Sequence, residues 1–415
     1  MKRVCIVTSG HLSTCPRMVK AADALHEAGY AVRVVSANYI AWAREADQRL
    51  RESRRWAWSV FDYEKSRARL DYFKTGVRFK LVQQWARTRG PEWSPFALAA
   101  RAFSRAYPEL LRLVLREPVD FICGGTSGGL PVAFAAAQKL GVPFALDLED
   151  FHSAEQDDNP DSRLAHALIT RIETLTLRQA AFLTAGSQGI AEAYERKYSI
   201  RPQVVNNTFP LPDSPPTFAA APRGQLKLYW FSQTIGANRG LEDVVEAMGV
   251  AGVSGELHLR GRAAASYIGK LNTMVAARAP SLKLQIHPPA SPGEMIKLAG
   301  HYEVGLSTEP GFSENNRLAL SNKVFTYMSA GLALVLTDTA GHRPLIADLG
   351  GSACVYSPGD KRVLATKLER WANDKPALLV ARESAWQAAQ RRWHWEHPAE
   401  RGALLQAFEN AIKRN

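Results

Sequence analysis

The sequence predicts an α/β protein with two parallel-sheet domains, and three observations carry that prediction. At 415 residues the chain is too long for one hydrophobic core and fits two domains of about 200 residues each. Its opening, Met1 to Val35, reads strand, loop, helix, strand, and the stretch from Tyr302 to Arg343 reads the same way. Each is a βαβ unit of a parallel sheet, and such sheets gather ligands outside the carboxyl ends of their strands.

In the opening unit the strand KRVCIVT leads through the loop SGHLSTCPR into the helix MVKAADALHEAG and the strand YAVRVVS. Met18, Val19, Ala22 and Leu25 recur at helical spacing, and Gly29 closes the helix. The G-x-G-x-x-G signature is missing. The loop carries Ser9, Gly10, His11, Ser13, Thr14 and Arg17, and Gly10 would let a ligand approach the backbone closely, or simply serve a tight turn.

Residues 49–89 are basic and aromatic-rich, a segment that reads as helical. Arg51, Arg54, Arg55, Lys65, Arg67, Arg69, Lys74, Arg78, Lys80 and Arg87 outnumber Glu52, Asp62, Glu64 and Asp71, with Trp56, Trp58, Phe61, Tyr63, Tyr72, Phe73, Phe79 and Trp85 between them. Two readings stand: amphipathic surface helices with their aromatics in the core, or a face that rests on an anionic membrane surface. The segment accounts for much of the net charge of +12. No DNA- or RNA-binding motif accompanies the charge, which argues against nucleic acid.

Further on, Asp120 to Cys123 is a strand, GGTSGGLP a Gly-rich loop, and Val132 to Leu140 a helix. Pro143 to Leu148 is the next strand, and DLEDFHSAEQDD spills from its carboxyl end. Asp147, Glu149, Asp150, His152 and Glu155 are therefore candidates for the acceptor side, His152 foremost because its ordinary pKa is close to neutral. Ala180 to Ala185 is a further strand, with Ser187 capping the helix after it. The Pro- and Ala-rich segment from Phe209 to Gln225 has no periodicity and reads as a linker.

The second domain begins with the strand Leu226 to Phe231 and the loop SQTIGANRG, where Arg239 and Gly240 stand ahead of a helix suited to a pyrophosphate. Gly255 to Gly261 and Leu282 to His287 are strands. In the stretch from Tyr302, a buried strand (Val304 to Ser307) precedes a polar loop, a helix opening near Ser321, and the strand Leu334 to Thr337. Ser321, Asn322 and Lys323 put free N–H groups, the helix dipole and a full positive charge in one place, which favours an anion. An ordinary N-cap with a solvated lysine is the alternative.

Here the chain resembles glycosyltransferase family 4. SNKVFTYMSAGLALVLTD resembles the family's nucleotide-binding segment over its whole length, and AAFLTAGSQGIAEAY resembles the step that closes the N-terminal domain. The resemblance implies a GT-B fold: two Rossmann-like parallel-sheet domains facing across a cleft, with the last helix crossing back. Residues 1–210, completed by 386–415, would form the acceptor-side domain, and 220–385 the donor domain. Trp386, Trp393 and Trp395 look suited to that return crossing.

The resemblance implies transfer of a sugar from a nucleotide diphospho-sugar, with retained configuration, without a metal and with no cofactor beyond the donor itself. Gly10, Arg239, Gly240, Ser321, Asn322 and Lys323 would bind the donor, Glu309 would contact its sugar, and Asp150 or His152 would orient or activate the acceptor. One departure stands out. The family often has a ribose-binding Glu four residues before the alanine of A-x-G, and Thr326 occupies that place. A nucleotide-sugar epimerase, a non-catalytic partner subunit and a nucleic-acid glucosyltransferase are the alternative functions.

Cys5, Cys15, Cys123 and Cys354 are widely spaced and suggest neither a zinc site nor a disulfide framework. No apolar run approaches the roughly 20 residues needed to span a bilayer. These features point to a cytoplasmic protein, with attachment to the inner membrane face open, working in polysaccharide, lipid-linked oligosaccharide or glycolipid assembly.

Overall fold

The computed structural model describes residues 1–156 and 159–413. These divide into two compact units, one of 1–206, 313–315 and 398–415, the other of 207–312 and 316–397. The division after 206 precedes the segment 209–225 read as a linker, and residues 207–224 contain no helix or strand.

The first unit is built on a parallel sheet of seven strands: β1 (Arg3–Val7), β2 (Ala31–Asn38), β3 (Ala57–Asp62), β4 (Phe121–Gly124), β5 (Phe144–Leu148), β6 (Phe182–Ala185) and β7 (Gln203–Val204). Their order, β3-β2-β1-β4-β5-β6-β7, reverses direction between β1 and β4. The Gly-rich loop after β4 serves that packing. A methyl at Gly129 would lie 2.2 Å from the Gly125 carbonyl and 2.7 Å from that of Val7, so the helix Leu130–Leu140 starts against β1 only because the glycine has no side chain.

Residues 57–62 form an edge strand where the sequence reading expects helix. Trp58, Val60 and Phe61 favour a pleated surface, and the strand runs parallel to β2 with Ser36 opposite Val60. Its aromatics turn inward. Trp56, Trp58 and Tyr63 are buried, and the indole N–H groups of Trp56 and Trp58 donate to Asp23 and Ser36, both at 2.8 Å.

The second unit has six parallel strands: β8 (Gln225–Ile235), β9 (Ser254–Ala263), β10 (Leu282–His287), β11 (Val304–Ser307), β12 (Ala333–Thr337) and β13 (Cys354–Tyr356). Their order, β10-β9-β8-β11-β12-β13, reverses between β8 and β11. Alternate residues of β12 enter different cores: Ala333 and Val335 join Leu228 and Leu306, while Leu334 and Leu336 join Phe325 and Tyr327. A strand covered on both faces is apolar throughout, which is why it was legible in the sequence.

The final helix, Ala403–Lys413, belongs to the first unit, where Phe408 meets the rings of Phe121 and Phe182 at 5.2 and 5.0 Å. The tryptophans assigned to that return lie in the second unit instead. Trp393 is part of the core around Phe325, and Trp386 packs on its edge.

Candidate functional site

The reversal point of the second sheet brings two loops together. Gly240 has a φ of +70°, and a methyl there would sit 2.0 Å from the Thr308 carbonyl oxygen. The Thr308 hydroxyl in turn donates to the Arg239 carbonyl at 2.7 Å. The loop after β8 is thereby tied to the end of β11, directly ahead of the helix Leu241–Ala251. Arg239 is half-buried, and its guanidinium makes no hydrogen bond or ion pair among the described residues.

Glu309 follows at the carboxyl end of β11 and is 6% exposed. The Ser307 hydroxyl donates to Oε2 at 2.9 Å, and Lys323 Nζ is paired with Oε1. Burial pushes this carboxyl up, but the charge and hydrogen bond of Lys323 prevail and hold it below its ordinary value. His342 stands behind. Its Nδ1 donates to the Thr337 carbonyl at 2.9 Å, and its Nε2 faces the Ser307 hydroxyl at 3.1 Å. Burial, the largest influence, lowers the His342 pKa, so the ring is neutral near pH 7.

Lys323 is the second residue of the helix Asn322–Ser329, and its ammonium also lies 5.7 Å from the centre of the Trp230 ring. Ser321 precedes this helix in extended conformation, but its hydroxyl makes no capping bond. The side-chain cap of the alternative reading is thus absent, and the first N–H groups of the helix keep their anion-binding character. Ser321 and Asn322 are half-buried. Thr326 is 2% exposed and offers almost no surface to a ligand.

In the first unit, Asp147, Asp150 and His152 separate into different roles. Asp147 is taken by Arg17: Nε donates to Oδ2 at 2.9 Å and Nη2 to Oδ1 at 2.5 Å, with the Thr184 hydroxyl donating to Oδ1 at 2.6 Å. Arg17 also donates to the Val205 carbonyl, so this arginine, expected in the first loop, is a buried residue of the helix Pro16–Glu27 that ties β5 to the segment after β7. Gly10 has no positive φ, and a methyl there would meet only the Tyr39 ring at 3.8 Å.

His152 is buried, its Nδ1 3.4 Å from Glu155 and its backbone N–H donating to the Tyr194 hydroxyl at 3.3 Å. Burial lowers its pKa, but the hydrogen bond and charge of Glu155, with Asp150 and Glu173, outweigh that and push it up to about 9. Its Nε2 is buried with no partner among the described residues. Asp150 accepts from Asn315 Nδ2 at 2.8 Å, while Asn315 Oδ1 accepts from the Phe151 N–H at 2.8 Å. Glu149 beside it is pushed up to about 7, by burial first and then by the Asp150 charge.

Asp150, His152 and Glu155 bring ligand-type atoms within 4.8 Å of one another, a metal-compatible group that their spacing in the sequence did not suggest. A protonated His152 neutralises its carboxylates from within. Asp157 and Asp158 of the same loop lie outside the described residues.

Sequence reasoning missed Ser307 and His342 behind Glu309, Trp230 beneath Lys323, and the bond of Asn315 to Asp150. His342 had a signal: it follows β12 as Glu309 follows β11, at the same end of the sheet.

Comparison with known proteins agrees with this frame. Residues 16–207 match a family described as "Glycosyl transferase 4-like domain". No curated protein matches the chain by sequence. Among solved structures, HepE of Anabaena, in complex with UDP and glucose, superposes with a TM-score of 0.68 at 12% identity, covering 100% of both chains. Sucrose-phosphate synthase of Thermosynechococcus elongatus gives 0.68 at 11%, also covering 100% of both. The lipopolysaccharide outer core galactosyltransferase WaaB gives 0.56 at 15%, covering 100% of this chain and 99% of its own.

Proposed function

We infer that this chain, a GT-B glycosyltransferase carrying a glycosyl transferase 4-like domain over residues 16–207, moves a sugar from a nucleotide diphospho-sugar to a saccharide or glycolipid acceptor. The observation that carries the reading is the tied pair of loops in the second unit. Gly240 and Thr308 lock Arg239 ahead of one helix, while Lys323 stands at the uncapped start of another. Two cations and two helix starts suit a diphosphate leaving group.

In this reading the bond between the anomeric carbon and the β-phosphate oxygen breaks with its electrons passing to the phosphate. Arg239, Lys323 and the N–H groups from Asn322 onward stabilise that charge, so no divalent metal is needed. Glu309, held by Ser307 and Lys323, contacts the sugar and is not free to act as a covalent nucleophile. The acceptor's hydroxyl oxygen then bonds to the anomeric carbon on the face the phosphate departs from and gives its proton to the leaving phosphate oxygen, so the anomeric configuration is retained. His152, with Asp150 beside it, is assigned in this reading to the acceptor, and Gly10 has only its backbone to offer a ligand.

HepE binds UDP and glucose, and WaaB acts on the lipopolysaccharide outer core, which supports a nucleotide-sugar donor and an acceptor from surface-glycan assembly. A cytoplasmic site for the reaction is part of this reading. The buried Thr326 favours one rival, a partner subunit that binds no nucleotide, because the ribose lacks its acidic contact.

The test is release of nucleoside diphosphate from a panel of UDP-, GDP-, ADP- and dTDP-sugars, with and without added glycan acceptors, followed by NMR of the product's anomeric proton. Acceptor-dependent release with retained configuration is expected. Release without an acceptor accompanied by epimerised sugar, or no release from any donor, contradicts the reading.

A further inference from the structure

The helix Arg69–Arg89 is fixed on one side and bare on the other. Thr75 and Ala86 face inward and are 1% and 0% exposed. The Arg105 guanidinium donates to the Thr75 hydroxyl at 3.0 Å and lies over the rings of Tyr63 and Tyr72. Arg78 grips Glu109 with two hydrogen bonds of 2.6 and 2.7 Å.

The outer side carries a row of exposed apolar residues, with Lys74 and Gln84 among them. Leu70, Phe73, Val77, Leu81 and Trp85 are 87%, 55%, 60%, 66% and 52% exposed. Their spacing of three or four residues aligns them in one stripe, about 120° wide, along nearly the whole helix. Trp93, 82% exposed, continues the apolar surface just past its end. A continuous row of this kind is unusual on a water-facing surface and marks an interaction site.

Its flanks name the partner's charge. Arg69, Lys80 and Arg87 border the stripe on one side and Arg89 on the other, beside Asp71, the one exposed acid in the helix; Lys74 stands within the stripe, between Leu81 and Trp85 in projection, and all of these are exposed. Two copies meeting stripe to stripe would bring these cations together, which disfavours self-association. An acidic surface with an apolar interior satisfies both features. No helix among the described residues is long and apolar enough to cross a membrane, so the contact is with a membrane's face.

We propose that the helix Arg69–Arg89 lies in the interface of an anionic bilayer, its apolar stripe between the headgroups and its basic flanks on their charges. The structure thereby divides the segment 49–89. Its first part buries Trp56, Trp58 and Tyr63 in the core, and its last part exposes Phe73 and Trp85.

The test is co-sedimentation of the full chain with vesicles of phosphatidylcholine alone or mixed with phosphatidylglycerol. It needs no nucleotide, so its outcome is separate from the donor-site reading. Binding is expected to the mixed vesicles, weakly to the neutral ones, and to decline with salt. The pair Lys74→Gln and Lys80→Gln should lower the partition coefficient roughly tenfold or more. The pair Leu81→Glu and Trp85→Glu should abolish binding without changing the melting temperature, since both side chains are exposed. Equal binding to both vesicle types, or binding retained by the Glu pair, overturns the proposal. So does a wild-type dimer by light scattering that the Glu pair makes monomeric, with no vesicle binding by either.

Discussion

Lys323 and Glu309 form an ion pair nearly sealed from water, with side chains 12% and 8% exposed. Removing one partner leaves the other charge buried, which costs roughly 3–5 kcal/mol, whereas replacing both is far milder. Lys323→Met is therefore expected to lower stability by about that amount and to abolish nucleotide binding. Lys323→Met with Glu309→Gln should recover most of the stability and none of the binding, by urea denaturation and calorimetric titration. A double variant that still binds would make the pair purely structural.

Gly240 and Gly10 were equal candidates by sequence, and the structure separates them. Gly240→Ala forces a side chain into a left-handed conformation and against the Thr308 carbonyl, so a loss of roughly 2 kcal/mol or more is expected, together with weaker donor binding as Arg239 shifts. Gly10→Ala meets ordinary contact only and should stay within about 0.5 kcal/mol. Denaturant midpoints of the two variants decide this.

His152 is held up to about 9. A folded-state pKa above the ordinary value, about 6.5, means that its charge stabilises the fold fully below that pH. The contribution then fades as pH rises through about 9. The stability difference between wild type and His152→Asn should narrow over that interval. If the imidazolium orients the acceptor, kcat/KM falls over the same rise, with the donor's affinity unchanged.

Arg17 looked like a ligand-facing loop residue and is instead buried against Asp147. Arg17→Met strands that carboxylate in the core and is expected to cost roughly 3–5 kcal/mol. Thermal unfolding checks it. Pairing with Asp147→Asn should return much of the loss.

The βαβ core of the second unit was legible because β11 and β12 are covered on both faces and so read as unbroken apolar runs. The helix after Ser321 was legible too, by its punctuation. What escaped the sequence were relations across long separations. Asn315, in the short helix Glu314–Leu318 between β11 and β12, groups with the first unit and bonds to Asp150; the Arg17 partner is 130 residues away. The strand β3 escaped for another reason: at an edge, its charged neighbours masked the period-two pattern.

The most direct test of the central claim is calorimetric titration of the wild type, Arg239→Ala and Lys323→Ala with UDP, GDP, ADP and dTDP. The account predicts that one nucleotide binds the wild type and that both variants lose at least tenfold in affinity while remaining folded, which corresponds to about 1.4 kcal/mol each. No binding by a folded wild type, or undiminished binding by both variants, would contradict it.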